Sequence, residues 1–150
     1  MTDYAALCQD LQSLWHRDFP LSKAMDLRVQ TFDDHTLTSR ASLAPNTNTH
    51  GTAFAGSLYA IQALTAWGLL YLELQILGVD ASIVHASGNI EFAKPVQEDI
   101  VAAACFDHDQ TLRQQLQDSG KSRLELTTTV HAGNDAASRF AGVYVVRLNR

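Results

Sequence analysis

Between Arg40 and Glu73 the chain carries no Asp, Glu, Lys or Arg, and the second part of that interval, Phe54 to Leu72, is almost wholly apolar. An uncharged segment of that length has two physical solutions. It spans a bilayer, or it lies in a core with protein on nearly every side. Gly56, Ser57, Gln62, Thr65 and Gly68 interrupt it with small or polar side chains, and no Lys or Arg stands close to either end. That pattern predicts a buried helix rather than a membrane span, roughly Thr52 to Leu77, with Gly78 as its C-cap. At about 1.5 Å per residue it would run about 40 Å, so the rest of the chain must supply its cover. A length of 150 residues is expected to make one domain, residues 1–150, with a single core.

The remaining segments read mostly as strands. Tyr4, Leu7, Cys8, Leu11, Leu14 and Trp15 recur at helical spacing, which predicts an amphipathic helix closed off by Pro20. From Met25 the period changes to two, through Leu27, Val29 and Thr31, and "DDH" at 33–35 marks a turn before a second strand ending at Pro45. After the long helix, Val84, Ala86, Gly88, Ile90 and Phe92 are predicted on one strand face, with His85, Ser87, Asn89 and Glu91 on the other. Ile100 to Phe106 reads as an apolar strand, and Leu112 with Leu116 as one side of a short helix. Leu124, Leu126, Thr128 and Val130 alternate cleanly, "AGND" at 132–135 forms a turn, and Phe140 to Leu148 is the last strand. The order predicts an α+β domain, an antiparallel sheet wrapped around a long central helix. Leu58, Leu64, Leu69, Ile90, Phe92, Leu126 and Tyr144 are the expected core.

With 46% apolar and 18% charged residues the chain suits a folded domain. Its net charge of −5 argues against nucleic acid or an anionic membrane surface as partner. Cys8 and Cys105 are too few for a disulfide framework and read as reduced, buried thiols. No metal-ligand spacing occurs, so neither metal nor cofactor is expected. "MTDYAALCQD" lacks the basic region and apolar stretch of a signal peptide, which predicts a cytoplasmic protein.

Three stretches, "NTHGTAFAGSLY" (48–59), "GNIEFAKPV" (88–96) and "RLELTTTV" (123–130) with "FAGVYVV" (140–146), resemble the YiiD C-terminal family of hot-dog thioesterases over nearly the whole chain. The resemblance implies a hot-dog fold, hydrolysis of an acyl thioester such as acyl-CoA, and a homodimer or homotetramer whose sites draw on two subunits. It places the thioester against the first turn of the central helix, where backbone N–H groups lack intrahelical partners and carry the positive end of the dipole. Such groups stabilise an oxyanion.

Each candidate residue has a structural reading beside the functional one. By the resemblance Asn48 contacts the carbonyl or the attacking water, yet Asn also forms turns. Gly56 matches an oxyanion-hole glycine, or serves close packing. Ser57 and Thr65 orient water, or bond back to a carbonyl one turn earlier. His50, Gly51, Thr52, Phe54 and Asn89 are candidates for substrate contact; Gly51 and Thr52 equally shape the helix start. Many hot-dog thioesterases carry an Asp or Glu two turns into the helix. Ile61, Gln62 and Ala63 stand there instead. A groove that binds acyl ligands without chemistry is therefore the alternative function.

Overall fold

The computed structural model describes every residue, Met1 to Arg150. The elements in chain order are α1 (Tyr4–Asp18), α2 (Pro20–Ala24), β1 (Leu27–Asp33), β2 (Thr36–Ala41), α3 (Ala55–Leu77), β3 (Ala81–Phe92), β4 (Ile100–Cys105), α4 (Asp109–Ser119), β5 (Lys121–Ala132) and β6 (Asp135–Leu148). Six strands form one antiparallel sheet in the order β1-β2-β4-β5-β6-β3, with β1 and β3 at its edges. The sheet wraps α3, the hot-dog arrangement.

Local chemistry accounts for the element ends. Asp3 caps α1 by accepting from the Ala6 amide at 3.0 Å. Pro20 does not only close a helix. It opens α2 at a position where its missing N–H is not needed. Gly78 ends α3 in the left-handed conformation (φ 68°), as expected of a C-cap glycine. The helix begins at Ala55, three residues later than the sequence suggests. Thr52 lies in a bend, and Ala53 in an extended segment tied by its amide to the Val96 carbonyl at 2.8 Å and by a bridge to Thr47.

α3 is long and apolar enough to cross a membrane, and here it is the core helix. Its buried face includes Leu58, Ile61, Leu69, Leu70 and Leu72. Leu126 and Tyr144 close the core from β5 and β6, while Leu64 and Ile90 are half-buried. Gly68 lets α1 approach, since a methyl there would stand 2.6 Å from Trp15 Cζ2.

β3 departs from the simple alternation. Its pairing with β6 slips between His85 and Ser87, so Ala86 is an extra residue and the strand changes phase. Upstream, Ile83 and His85 face inward and Val84 is 56% exposed. Downstream, Gly88 and Ile90 face inward and Asn89 and Glu91 outward. The predicted common face for Val84 and Ile90 is thus overturned, as is that for His85 and Asn89. Phe92 shares the inward parity but is 49% exposed, at the end of an edge strand. Cys8 is half-buried and Cys105 exposed, so the second thiol is not the buried one expected.

Candidate functional site

The residues ahead of α3 form a braced loop. Asn46 is buried; its side-chain Nδ2 donates to the carbonyls of Met25 at 2.8 Å and Ser42 at 2.7 Å, and its backbone carbonyl accepts the Phe54 amide at 2.7 Å. Asn48 Oδ1 accepts from the amides of His50 (2.9 Å) and Thr52 (3.1 Å), and its Nδ2 donates to Thr52 Oγ1 (2.8 Å) and the Ala53 carbonyl (3.4 Å). Every hydrogen-bonding position of that amide is used within its own loop. The turn-forming reading of Asn48 is therefore the one the geometry carries. Gly51 adopts φ 75°, a conformation side chains resist, and Thr52 serves the loop through the same bonds.

The loop delivers an open helix start. No side chain caps α3, and its first turn holds no acidic residue. The first amide of the helix to find an acceptor is Leu58, to the Phe54 carbonyl at 3.0 Å; those of Ala55, Gly56 and Ser57 find none in the chain. Ala55 and Gly56 are exposed, and Ser57 is 9% exposed with no hydrogen-bond partner for its hydroxyl. These N–H groups can bind an anionic oxygen.

Phe54 adds a feature the sequence does not announce. Its ring, 53% exposed as a residue, folds back across the first turn, so a methyl at Gly56 would lie 2.4 Å from Phe54 Cε2. His50 is exposed beside the loop, with no side-chain hydrogen bond. Phe54, Gly56 and Ser57 are thus together at the helix start, with His50, Gly51 and Thr52 immediately before it.

Two candidates are not brought there. Thr65 is fully buried; its hydroxyl donates to the Ile61 carbonyl at 2.6 Å and pairs with Ser39 Oγ at 2.7 Å. At about 1.5 Å per residue it lies some 13 Å along the helix from Gly56. Asn89 points outward from β3, opposite the helix start within one subunit. Where an acid is common, Ile61 and Gln62 are buried, and Gln62 Nε2 donates to Ser138 Oγ at 2.7 Å.

Sequence reasoning missed two polar pairs. Tyr59 Oη stands 3.1 Å from His85 Nε2 beside the helix start. His35 Nδ1 meets Glu73 Oε1 at the far end of α3. Both join residues remote in sequence, and neither shows in a local pattern. A hollow of about 1060 Å³ also lies at that far end, between α4 and the C-terminus of α3. Its one charged lining residue, Arg113, is paired with Asp109, so it offers no catalytic constellation.

Comparison with known proteins agrees with the fold. Residues 8–148 match the family described as "Putative thioesterase (yiiD_Cterm)". The chain is 32% identical to the putative thioesterase from Shewanella oneidensis, covering 97% of this chain and 99% of that one with a TM-score of 0.89. It is 26% identical to a protein of unknown function from Chlorobaculum tepidum, with 97% of each chain covered and a TM-score of 0.91. The E. coli PaaI protein, from the phenylacetic acid degradation operon, is 13% identical over 98% of this chain and 97% of that one with a TM-score of 0.67, a likeness of fold alone. Matched nearly end to end in sequence and in shape, the chain belongs to the YiiD C-terminal family of hot-dog thioesterase-like proteins.

Proposed function

We propose that the protein hydrolyses an acyl thioester, with acyl-CoA as the substrate class. The single observation that carries this is the uncapped start of α3, where the amides of Ala55, Gly56 and Ser57 are without acceptors beside a glycine. Water attacks the thioester carbonyl, the developing oxyanion takes hydrogen bonds from the Gly56 and Ser57 amides, and the carbon–sulfur bond breaks to release acid and thiol. Phe54, with His50 at its flank, contacts the acyl or thiol portion. Asn48 contributes by fixing the loop and so the direction of those amides. Asn89 faces away from its own helix start, so any contact it makes is to a ligand held by a second subunit.

A homodimer, alone or paired into a tetramer, is part of this reading. β3 is a 12-residue edge strand whose outward Val84 is 56% exposed. An unpaired edge of that length usually finds a partner. The uncapped amides are satisfied by substrate rather than by lipid or nucleic acid, in keeping with the acidic net charge and a cytoplasmic setting.

A second reading, an acyl-binding module without chemistry, is favoured by one observation: no carboxylate stands at residues 61–63, and Asn48 is occupied by its loop. Steady-state cleavage of short, medium and long acyl-CoAs, followed by thiol release, separates the two. Turnover supports hydrolysis. Saturable binding of acyl-CoA without thiol release supports the module.

A further inference from the structure

Tyr59 follows Gly56 by three residues, about 4.5 Å along the helix axis. Side chains of a helix lean toward its N-terminus, so the Tyr59 side chain leans toward the uncapped first turn. There it lies over Gly88 of β3: a methyl on Gly88 would stand 2.5 Å from Tyr59 Oη and 2.7 Å from the Phe140 ring. The inward side of Gly88 is thus taken up by Tyr59 and Phe140, while Tyr59 itself stays only half-buried. The glycine of the "GNIEF" stretch is explained by the tyrosine of the "GSLY" stretch.

His85 decides which way the hydroxyl points its proton. Its Nε2 is 3.1 Å from Tyr59 Oη, and its Nδ1 is buried with no partner. Tyr144 cannot serve that nitrogen, since its own hydroxyl donates to the Ala63 carbonyl at 2.7 Å. Phe140, the other ring against His85, has no polar atom. A buried lone pair without a donor is tolerated better than a buried N–H without an acceptor. The favoured tautomer therefore keeps its proton on Nε2 and donates to Tyr59, leaving the tyrosine proton free for another acceptor.

We propose that Tyr59 is a further hydrogen-bond donor to the carbonyl oxygen of the bound thioester, with His85 as the residue that positions it. This rests on the hydrolase reading above and adds a side-chain donor to the amides of Gly56 and Ser57. No proton leaves the tyrosine; the bond strengthens as the oxyanion forms.

The test combines one measurement without turnover and three variants. Two-bond proton–nitrogen spectra of the wild type at neutral pH report the His85 tautomer, and a proton on Nε2 is expected. Tyr59→Phe should fold and lose on the order of 10²-fold in kcat with little change in KM, as for one lost oxyanion donor. His85→Gln, whose amide N–H reaches about as far as Nε2, should retain most turnover. His85→Leu should lose up to about 10²-fold, the scale of a misplaced contact. A proton on Nδ1, or a folded Tyr59→Phe with full kcat in an otherwise active protein, overturns the donor role alone. A wild type that cleaves no thioester overturns the hydrolase reading and this inference together.

Discussion

His35 Nδ1 and Glu73 Oε1 are 2.7 Å apart, joining the turn between β1 and β2 to the single charged residue of α3. Glu73 is 1% exposed. Burial pushes its carboxyl above the usual range, and the hydrogen bond to Glu73, with its charge, pushes the His35 imidazole up. Asp34 and Asp109 add to the rise at His35, and Asp109 to that at Glu73. Both native groups hold protons that the unfolded chain releases, so stability should fall as pH rises. The Glu73 part sets in above 4.5 and the His35 part above 6.5, each complete once its raised native value is passed. Glu73→Gln should flatten this slope in denaturant titrations at several pH values. An unchanged slope would mean the pair does not titrate on folding. Turnover should change little, because Glu73 is about 25 Å along the helix from Gly56.

Bulk at Gly56 meets the Phe54 ring first. That ring is exposed and can swing aside, so Gly56→Val should fold by circular dichroism yet lose turnover through methyls beside the amides. Adding Phe54→Ala should not restore activity. Recovery in the double variant would assign the loss to a displaced ring rather than to a blocked oxyanion site.

Asn48→Ala removes four hydrogen bonds that shape the loop. A stability cost of about 1–3 kcal/mol is expected, together with a 10- to 1,000-fold loss of kcat from misdirected amides. Thermal melts and steady-state rates check both. A rate loss without any loss of stability would point to direct contact with substrate instead.

Gly68→Ala should be destabilising although alanine is the better helix former. The added methyl would stand 2.6 Å from Trp15 Cζ2 and 3.0 Å from Leu11 Cδ2, both in fully buried side chains. Overpacking of this kind costs about 1–3 kcal/mol, against a propensity gain of about 1 kcal/mol or less. Equal or higher stability in a denaturant titration would show that α1 yields easily.

The legible parts of the fold were those governed by local rules. Leu124 to Val130 alternate because β5 is buried on one face only, and α3 is apolar because the sheet surrounds it. The misread parts depend on remote partners. Thr52 looks helical until Val96 holds Ala53 extended. His85 looks outward until the extra residue at Ala86 turns it in. Of the candidate site, the small residues at 55–57 were readable as an approach to the helix start, whereas the Phe54 ring over Gly56 and the Tyr59–His85 pair were not. Thr65 looked available because a sequence cannot show Ser39 waiting beside it.

The phase change in β3 also sets what this strand tolerates in length. The hairpin at Gly133 and Asn134 could gain a residue and merely lengthen its loop. Removing Ala86 would leave His85 and Ser87 opposite the consecutive residues Tyr144 and Val143, a regular ladder with both halves of the strand on their present faces. Pairing Ala86 into the ladder, by contrast, would turn one half over: the upstream half, driving Ser82 and Val84 inward and His85 out, or the downstream half, setting Asn89 and Glu91 inward and Ile90 in solvent. A protein descended from this design can lose the odd residue, but it cannot pair it without rewriting one half of the strand at once.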